Sequence, residues 1–167
     1  MSDTDDIAEG ILSRERGLLT EFQFFVLTPS NTSNAITTPI AVGAAPVTQA
    51  QVILQIDDIT DRVWLSGTLG WEPIGVAGTI STILLKIFRG AIATPIFSTR
   101  QSQLSTGGID DYVTTSFNHV DFPATVLPVQ TTTVYSLTVE AETTALAIRG
   151  PVTLTGAEIE RNRICNP

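Results

Sequence analysis

The chain has 167 residues, 43% hydrophobic and 16% charged, with 17 acids against 9 bases and a formal net charge of −8 at pH 7. That length suits one ordinary domain able to bury a core without staples, and the negative surface repels polyanions, which excludes nucleic acid and anionic membranes as favoured partners. The single cysteine, Cys165, cannot make an internal disulfide, and no apolar run approaches the ~20 residues of a membrane span, so no membrane insertion is expected.

In chain order, an acidic lead comes first. Met1-Ser2-Asp3-Thr4-Asp5-Asp6 lacks the basic start and apolar run of a signal peptide, so the expectation is synthesis in a cytoplasm and export, if any, by another route. Residues 2–16 fit one short helix. Ser2 would cap it, Asp3, Asp5 and Asp6 sit at its positive end, Arg14 and Arg16 at its negative end, and Ile7, Ile11 and Leu12 fall at helical spacing. A disordered tail fits the same stretch, because so short a helix is marginal alone.

From Glu21 onward the period is two. Phe22, Phe24 and Val26 alternate with Gln23, Phe25 and Leu27, which predicts a strand apolar on both sides and covered by a neighbour. Val52, Leu54 and Ile56 alternate with Gln51, Gln55 and Asp57. Val63, Leu65, Gly67, Leu69 and Trp71 share a face against Arg62, Trp64, Ser66 and Thr68. Ile83, Leu85 and Ile87 alternate with Leu84, Lys86 and Phe88; Tyr135, Leu137, Val139 and Ala141 alternate with Ser136, Thr138, Glu140 and Glu142, the clearest pattern of one wet face. Turn chemistry marks the breaks: Thr28-Pro29-Ser30-Asn31, Asp57 to Asp61, Pro73 to Gly78, Arg89-Gly90, Gly107-Gly108, Pro123 to Pro128 and Gly150-Pro151.

Thr, Val and Ile make up about a third of the chain, as suits pleated, half-buried surfaces. The runs predict eight to ten strands with no helix-length segment between them. Such strands pair antiparallel and must close or stack to hide their edges, in a sandwich, a jelly roll or a barrel. The expected organisation is a lead over 1–19, a β domain over 20–160 and a tail over 161–167.

Two stretches carry a family resemblance. Val63-Trp64-Leu65-Ser66-Gly67-Thr68-Leu69-Gly70-Trp71, with Ile83 to Gly90 and Pro95 to Thr99, resembles the middle strands of small spore-surface proteins of spore-forming Firmicutes. Thr115 to Asp121, Tyr135 to Val139 and the closing Gly150 to Ile159 do so too. Those exosporium and appendage proteins resemble the C1q/tumour-necrosis-factor jelly roll, which typically forms trimers. The resemblance covers residues 47–160 and implies an all-β antiparallel jelly-roll sandwich, a homotrimer and a place on the spore surface. The lead 1–46 and tail 161–167 fall outside it, and no collagen-like Gly-X-Y stretch accompanies it.

Few residues suit chemistry. His119, the single histidine, has Asp121 two residues on, as an orienting partner would be. With no nucleophile motif beside them, a strand histidine satisfied by a neighbour is the simpler account, and no enzyme is expected. Asp57, Asp58, Asp61, Asp110 and Asp111 offer the oxygens a hard cation takes, but in no twelve-residue loop pattern, so solvated turn acids are expected and no metal or cofactor is assigned. Lys86 and Asn118 invite comparison with Lys–Asn crosslinked surface domains; a lysine snorkelling from a sheet face is the expectation. Asn31-Thr32-Ser33 matches the glycosylation pattern and reads as a turn.

Two function classes follow. One is a non-enzymatic structural subunit of a spore exosporium, coat or appendage, self-assembling as a trimer or fibre alongside other spore surface proteins. Its expected interface residues are Trp64 and Phe88; its expected connectors between oligomers are Ile7, Ile11, Leu12, Leu18, Leu19 and Cys165, the last as an inter-chain thiol. The other is a carbohydrate- or protein-binding jelly-roll module, for which Trp64, Trp71 and Tyr112 are the available aromatics, with Trp71 expected in the core. A phage or virus appendage protein has the same composition.

Overall fold

The computed structural model describes residues 18–27, 38–58, 60–91, 93–107, 111–123 and 131–160. They form nine strands: β1 (Leu18–Leu27), β2 (Thr38–Ile40), β3 (Val47–Ile56), β4 (Arg62–Pro73), β5 (Ile80–Arg89), β6 (Phe97–Leu104), β7 (Val113–Asp121), β8 (Thr131–Ala141) and β9 (Leu146–Glu160). The front sheet has the order β1-β9-β4-β7, with β2 also paired to β9; the back sheet runs β3-β8-β5-β6. Every pair of named strands is antiparallel.

The pairing is nested. β1 pairs with β9, β3 with β8, β4 with β7 and β5 with β6, so the chain is one long hairpin rolled into two sheets. That is an all-β jelly-roll sandwich, and its strand count lies within the expected range.

Alternation builds the core. Leu54 of β3, Leu65, Leu69 and Trp71 of β4, Leu85 and Ile87 of β5, Tyr135 and Leu137 of β8 and Leu154 of β9 are wholly buried between the sheets. A Cβ on Gly67 would lie 2.3 Å from the Phe117 ring opposite it, so the glycine makes room for that ring in the core. The indole N–H of Trp71 donates to Thr115 Oγ1 at 2.9 Å, satisfying the one polar atom of the largest core side chain.

Three expectations change. Gly150-Pro151 is no break: it lies inside β9, where the register with β4 slips between Leu69 and Trp71. Gly150 takes φ 79°, and proline has no N–H for the ladder, so the strand continues only as a bulge. Phe22, Phe24 and Val26 are not covered: only the Phe25 side of β1 packs on the core. Leu18 and Leu19, assigned to the lead, begin β1 opposite Glu160 and Ile159, so the sheet gives them a place. Ile7, Ile11, Leu12, Asn31, Asp110 and Cys165 lie outside the described residues.

Candidate functional site

His119 and Asp121 both point between the sheets, yet nothing joins them. The His119 ring stacks on Phe97 of β6, centroids 5.3 Å apart. Asp121 is claimed by the back sheet: Arg89 Nη1 donates to Oδ1 at 3.0 Å and Oδ2 at 2.8 Å, and the Tyr135 hydroxyl donates to Oδ2 at 2.9 Å. Burial, then the Asp121 charge beside it, pushes the Tyr135 hydroxyl far above the ordinary tyrosine range. The cluster ties β7 of one sheet to β5 and β8 of the other.

Lys86 and Asn118 occupy opposite outer faces of the sandwich. Lys86 Nζ lies 2.5 Å from Glu140 Oε1, an ion pair across β5 and β8. No crosslink between Lys86 and Asn118 fits this geometry.

The turn acids divide. Asp111 is buried at the crossing from β6 to β7, where its carboxylate accepts from the Ser105 hydroxyl at 3.1 Å, the Thr106 N–H at 2.7 Å and the Thr106 hydroxyl at 2.6 Å. The Thr106 hydroxyl above all holds its carboxyl below the usual range, against the opposing effect of burial. Asp58 caps its own turn, accepting from the Thr60 N–H at 2.8 Å. Asp61, expected in solvent, is 0% exposed, and its Oδ2 accepts the Asp58 N–H at 3.2 Å.

Glu158 was not singled out by motif reasoning. It shares inward parity with Leu154 and Gly156 on β9, so alternation alone places a carboxylate on the core face, and it is 2% exposed. Burial pushes its carboxyl above the usual range. The Thr20 hydroxyl opposes this, the charges of Asp61 and Asp57 add to it, and the Asp57 backbone opposes it slightly.

Among the described residues, the outer face of the front sheet carries exposed aromatic side chains. Register aligns three rows across β1, β9, β4 and β7: Phe22, Ala157, Trp64 and Val120; Phe24, Thr155, Ser66 and Asn118; Val26, Thr153, Thr68 and Ser116. None of these side chains is charged. Phe22, Phe24, Trp64 and Val120 are 51%, 66%, 39% and 42% exposed, and the two phenylalanine rings lie 6.2 Å apart. At one end of the face the Arg62 guanidinium sits 4.3 Å over the Phe122 ring and donates to the Thr60 and Asp61 carbonyls. Trp64 is thus on the front face, Phe88 is half-buried on the back face, Trp71 is core, and the exposed Tyr112 donates its hydroxyl to the Gly150 carbonyl. Between the edge strands β1 and β3 runs a cleft lined by Gln23, Phe24, Gln51, Gln55 and Thr132 among others; Glu21 crosses it to accept the Gln55 N–H. No helix of the described residues is long and apolar enough to cross a membrane.

No protein-family model and no curated protein matches the sequence. Among solved structures the chain is similar to the Gt strain of infectious bursal disease virus, at 12% identity over 87% of this chain and 39% of that one, TM-score 0.48. It is likewise similar to that virus's T13 particle, at 13% identity over 86% and 36%, TM-score 0.48, and to its VP2 subviral particle, at 15% over 84% and 40%, TM-score 0.39. The chain therefore spans about two fifths of the length of those chains.

Proposed function

We propose that this chain is a non-enzymatic structural subunit that self-assembles, the outer face of the front sheet in one copy being covered by another copy. One observation carries this reading: three aligned rows on that face hold no charge, in a chain of net charge −8. Copies of such a chain repel over most of their surfaces. The front face is where two of them approach without opposing like charges, and burying side chains such as Phe22, Phe24 and Trp64 there contributes about 1.5–3 kcal/mol each.

The resemblance over residues 47–160 supports a finer reading: a homotrimer in a spore exosporium, coat or appendage, with other spore surface proteins as partners and the lead and Cys165 as connectors into a fibre. A cyclic trimer is closed by heterologous contacts, each joining two different surfaces. Trp64 and Phe88, on opposite faces, then belong to the two sides of one contact.

Sedimentation at micromolar concentration tests the assembly. The wild type is expected to be oligomeric, and the double variant Phe24→Glu with Trp64→Glu monomeric at an unchanged melting temperature. A monodisperse wild-type monomer overturns the assembly reading. Immunogold labelling of spores tests the location separately: label absent from every surface layer removes the spore assignment and leaves self-assembly standing.

A carbohydrate-binding module is the second reading, favoured by the cleft between β1 and β3, where the amides of Gln23, Gln51 and Gln55 stand beside Phe24. Glycan binding by the monomeric chain, lost in Gln51→Ala, is the outcome that would establish it.

A further inference from the structure

We propose that β3 is a second contact surface of this chain, its free edge pairing antiparallel with β3 of another copy about a two-fold axis at Ile53, and that Glu21 guards that edge. β3 runs ten residues, Val47–Ile56, and among the described strands it pairs with β8 alone. Its register from Gln51↔Ser136 to Gln55↔Thr132 is regular, and the Gln55 N–H is turned away from β8, since it donates to Glu21 Oε2. In an antiparallel ladder such groups recur at every second residue, so the N–H and C=O of Gln51 and Ile53 face the same open side. Gln51, Ile53 and Gln55 are exposed, Ile53 at 53%.

An unpaired edge is a template for a further strand, and folded chains block it with a charge or a proline. Of the described strands that end a sheet, β1 carries Glu21, β6 Arg100 and β7 Asp121, and the short β2 carries Pro39. β3 carries neither device. Its run Gln51-Val52-Ile53-Leu54-Gln55-Ile56 instead combines high β propensity with no charge, proline or glycine, the composition that stacks strand on like strand. The guard comes from the neighbouring edge: Glu21 reaches from β1 across the cleft and occupies the Gln55 N–H.

The occupant is a second copy because the segment reads alike in both directions. Gln51-Val52-Ile53-Leu54-Gln55 has a glutamine at each end, an aliphatic residue inside each, and Ile53 at its centre. Antiparallel pairing about that centre sets Ile53 against Ile53 of the second copy and Gln51 against the second copy's Gln55, so apolar meets apolar and amide meets amide. No like charges are opposed. Each Glu21 carboxylate lies beside Gln55 of its own copy, and the two Gln55 positions stand roughly 14 Å apart along the ladder, beyond the screening length of about 8 Å at physiological salt. The Gln51 carbonyl of the second copy needs the same N–H that Glu21 holds. Edge pairing therefore competes with Glu21, which keeps the contact weak between isolated chains and leaves it to join copies already held close.

This contact lies on the edge of the back sheet, so its test stands apart from that of the front face. In the full chain carrying Cys165→Ser, single cysteines are placed at exposed positions of β3 and incubated with oxidised glutathione. The axis at Ile53 sets its two Cα atoms about 5.5 Å apart, inside disulfide range, whereas Gln51 of one copy stands roughly 14 Å from Gln51 of the other. Ile53→Cys is expected to form a disulfide-linked dimer at least about tenfold faster than Gln51→Cys, since only the former meets the distance a disulfide needs. An equimolar mixture of Gln51→Cys and Gln55→Cys is expected to form a mixed dimer faster than either variant dimerises alone. Glu21→Ala is expected to speed dimer formation by Ile53→Cys roughly 10–30-fold, as follows from the two bonds between copies that it frees. No dimer from Ile53→Cys, or equal rates from Ile53→Cys and Gln51→Cys, overturns the pairing; a rate that Glu21→Ala leaves unchanged overturns the guard.

Discussion

The two outer faces of this sandwich have the same strand geometry and opposite chemistry. On the back face polar groups meet polar groups: Lys86 pairs with Glu140, Arg100 with Glu142 at 2.9 Å, Gln51 Nε2 donates to Ser136 Oγ at 2.9 Å, and the Thr82 and Ser102 hydroxyls lie 2.9 Å apart. These polar groups find their partners within the chain, with the Thr138 hydroxyl beside them the exception. The front face carries Phe22, Phe24 and Trp64 over a background of Thr, Ser and Asn, with no ion pair along its three central rows. Scattered exposed apolar residues need no explanation, but an uncharged face with an apolar row, Phe22, Ala157, Trp64 and Val120, across four strands does. Alternation decides which side chains point outward, and only the sum over neighbouring strands reveals which outward face is left incomplete.

The comparison has content only if changes on the front face act on association and not on folding, so a variant that damages folding sets the scale. Asp121→Ala leaves Arg89 buried without its carboxylate and Tyr135 without its acceptor. A loss of about 3–5 kcal/mol in denaturant unfolding is expected, the usual cost of stranding one partner of a buried pair. A loss under 1 kcal/mol would mean that solvent reaches the cluster. Next in size is Trp64→Ala. A tryptophan at the centre of a contact is expected to contribute at least about 2 kcal/mol, a roughly 30-fold weaker association in sedimentation equilibrium, with the unfolding midpoint nearly unmoved. Association unchanged in this variant would move the interface off the front face.

Much of the strand pattern was legible in the sequence, and what was not has a physical cause. The strands β1, β3, β4, β5 and β8 stood out because each carries several apolar residues at every second position. β6, Phe97-Ser98-Thr99-Arg100-Gln101-Ser102-Gln103-Leu104, has polar residues on both faces, since as an edge strand it contributes little to the core, and no period-two apolar signal exists to find. β2 is three residues long and carries Pro39, tolerable only because β2 pairs on one side. The nested pairing joins residues from opposite ends of the chain, which local patterns do not encode. Asp61 looked like a solvated turn acid because turn composition says nothing of which side chains of the turn are buried. Glu158 belongs to no motif, and parity on β9 is the only sequence signal that places it inward.

The back face supplies the third prediction. Lys86→Gln removes the Lys86–Glu140 pair, which is part-exposed on both sides. Such pairs contribute about 0–1 kcal/mol, so unfolding is expected to shift by no more than that, and association not at all. A change in sedimentation as large as that of Trp64→Ala would erase the distinction between the faces and place the Lys86–Glu140 pair itself in the contact beside Phe88.

The smallest effect concerns the crossing that carries the chain from the back sheet to the front. Asp111 anchors it by accepting from Ser105 and Thr106, and the Thr106 hydroxyl is the largest cause of its lowered pKa. A carboxyl whose folded pKa lies below its unfolded value contributes stability that is present above the unfolded value, here near 3.8, and is lost as pH falls through the folded one. Thermal melts between pH 5 and pH 2.5 should therefore show the wild type losing stability more steeply below about pH 4 than Thr106→Ala, in which the two pKa values lie closer together. At pH 7 the variant should be slightly the less stable of the two, and the curves should converge on acidification. Parallel curves across the whole range would mean that the Thr106 hydroxyl contributes nothing to the ionised form of Asp111, and that the crossing is held by Ser105 and the backbone N–H groups of Thr106 and Gly107.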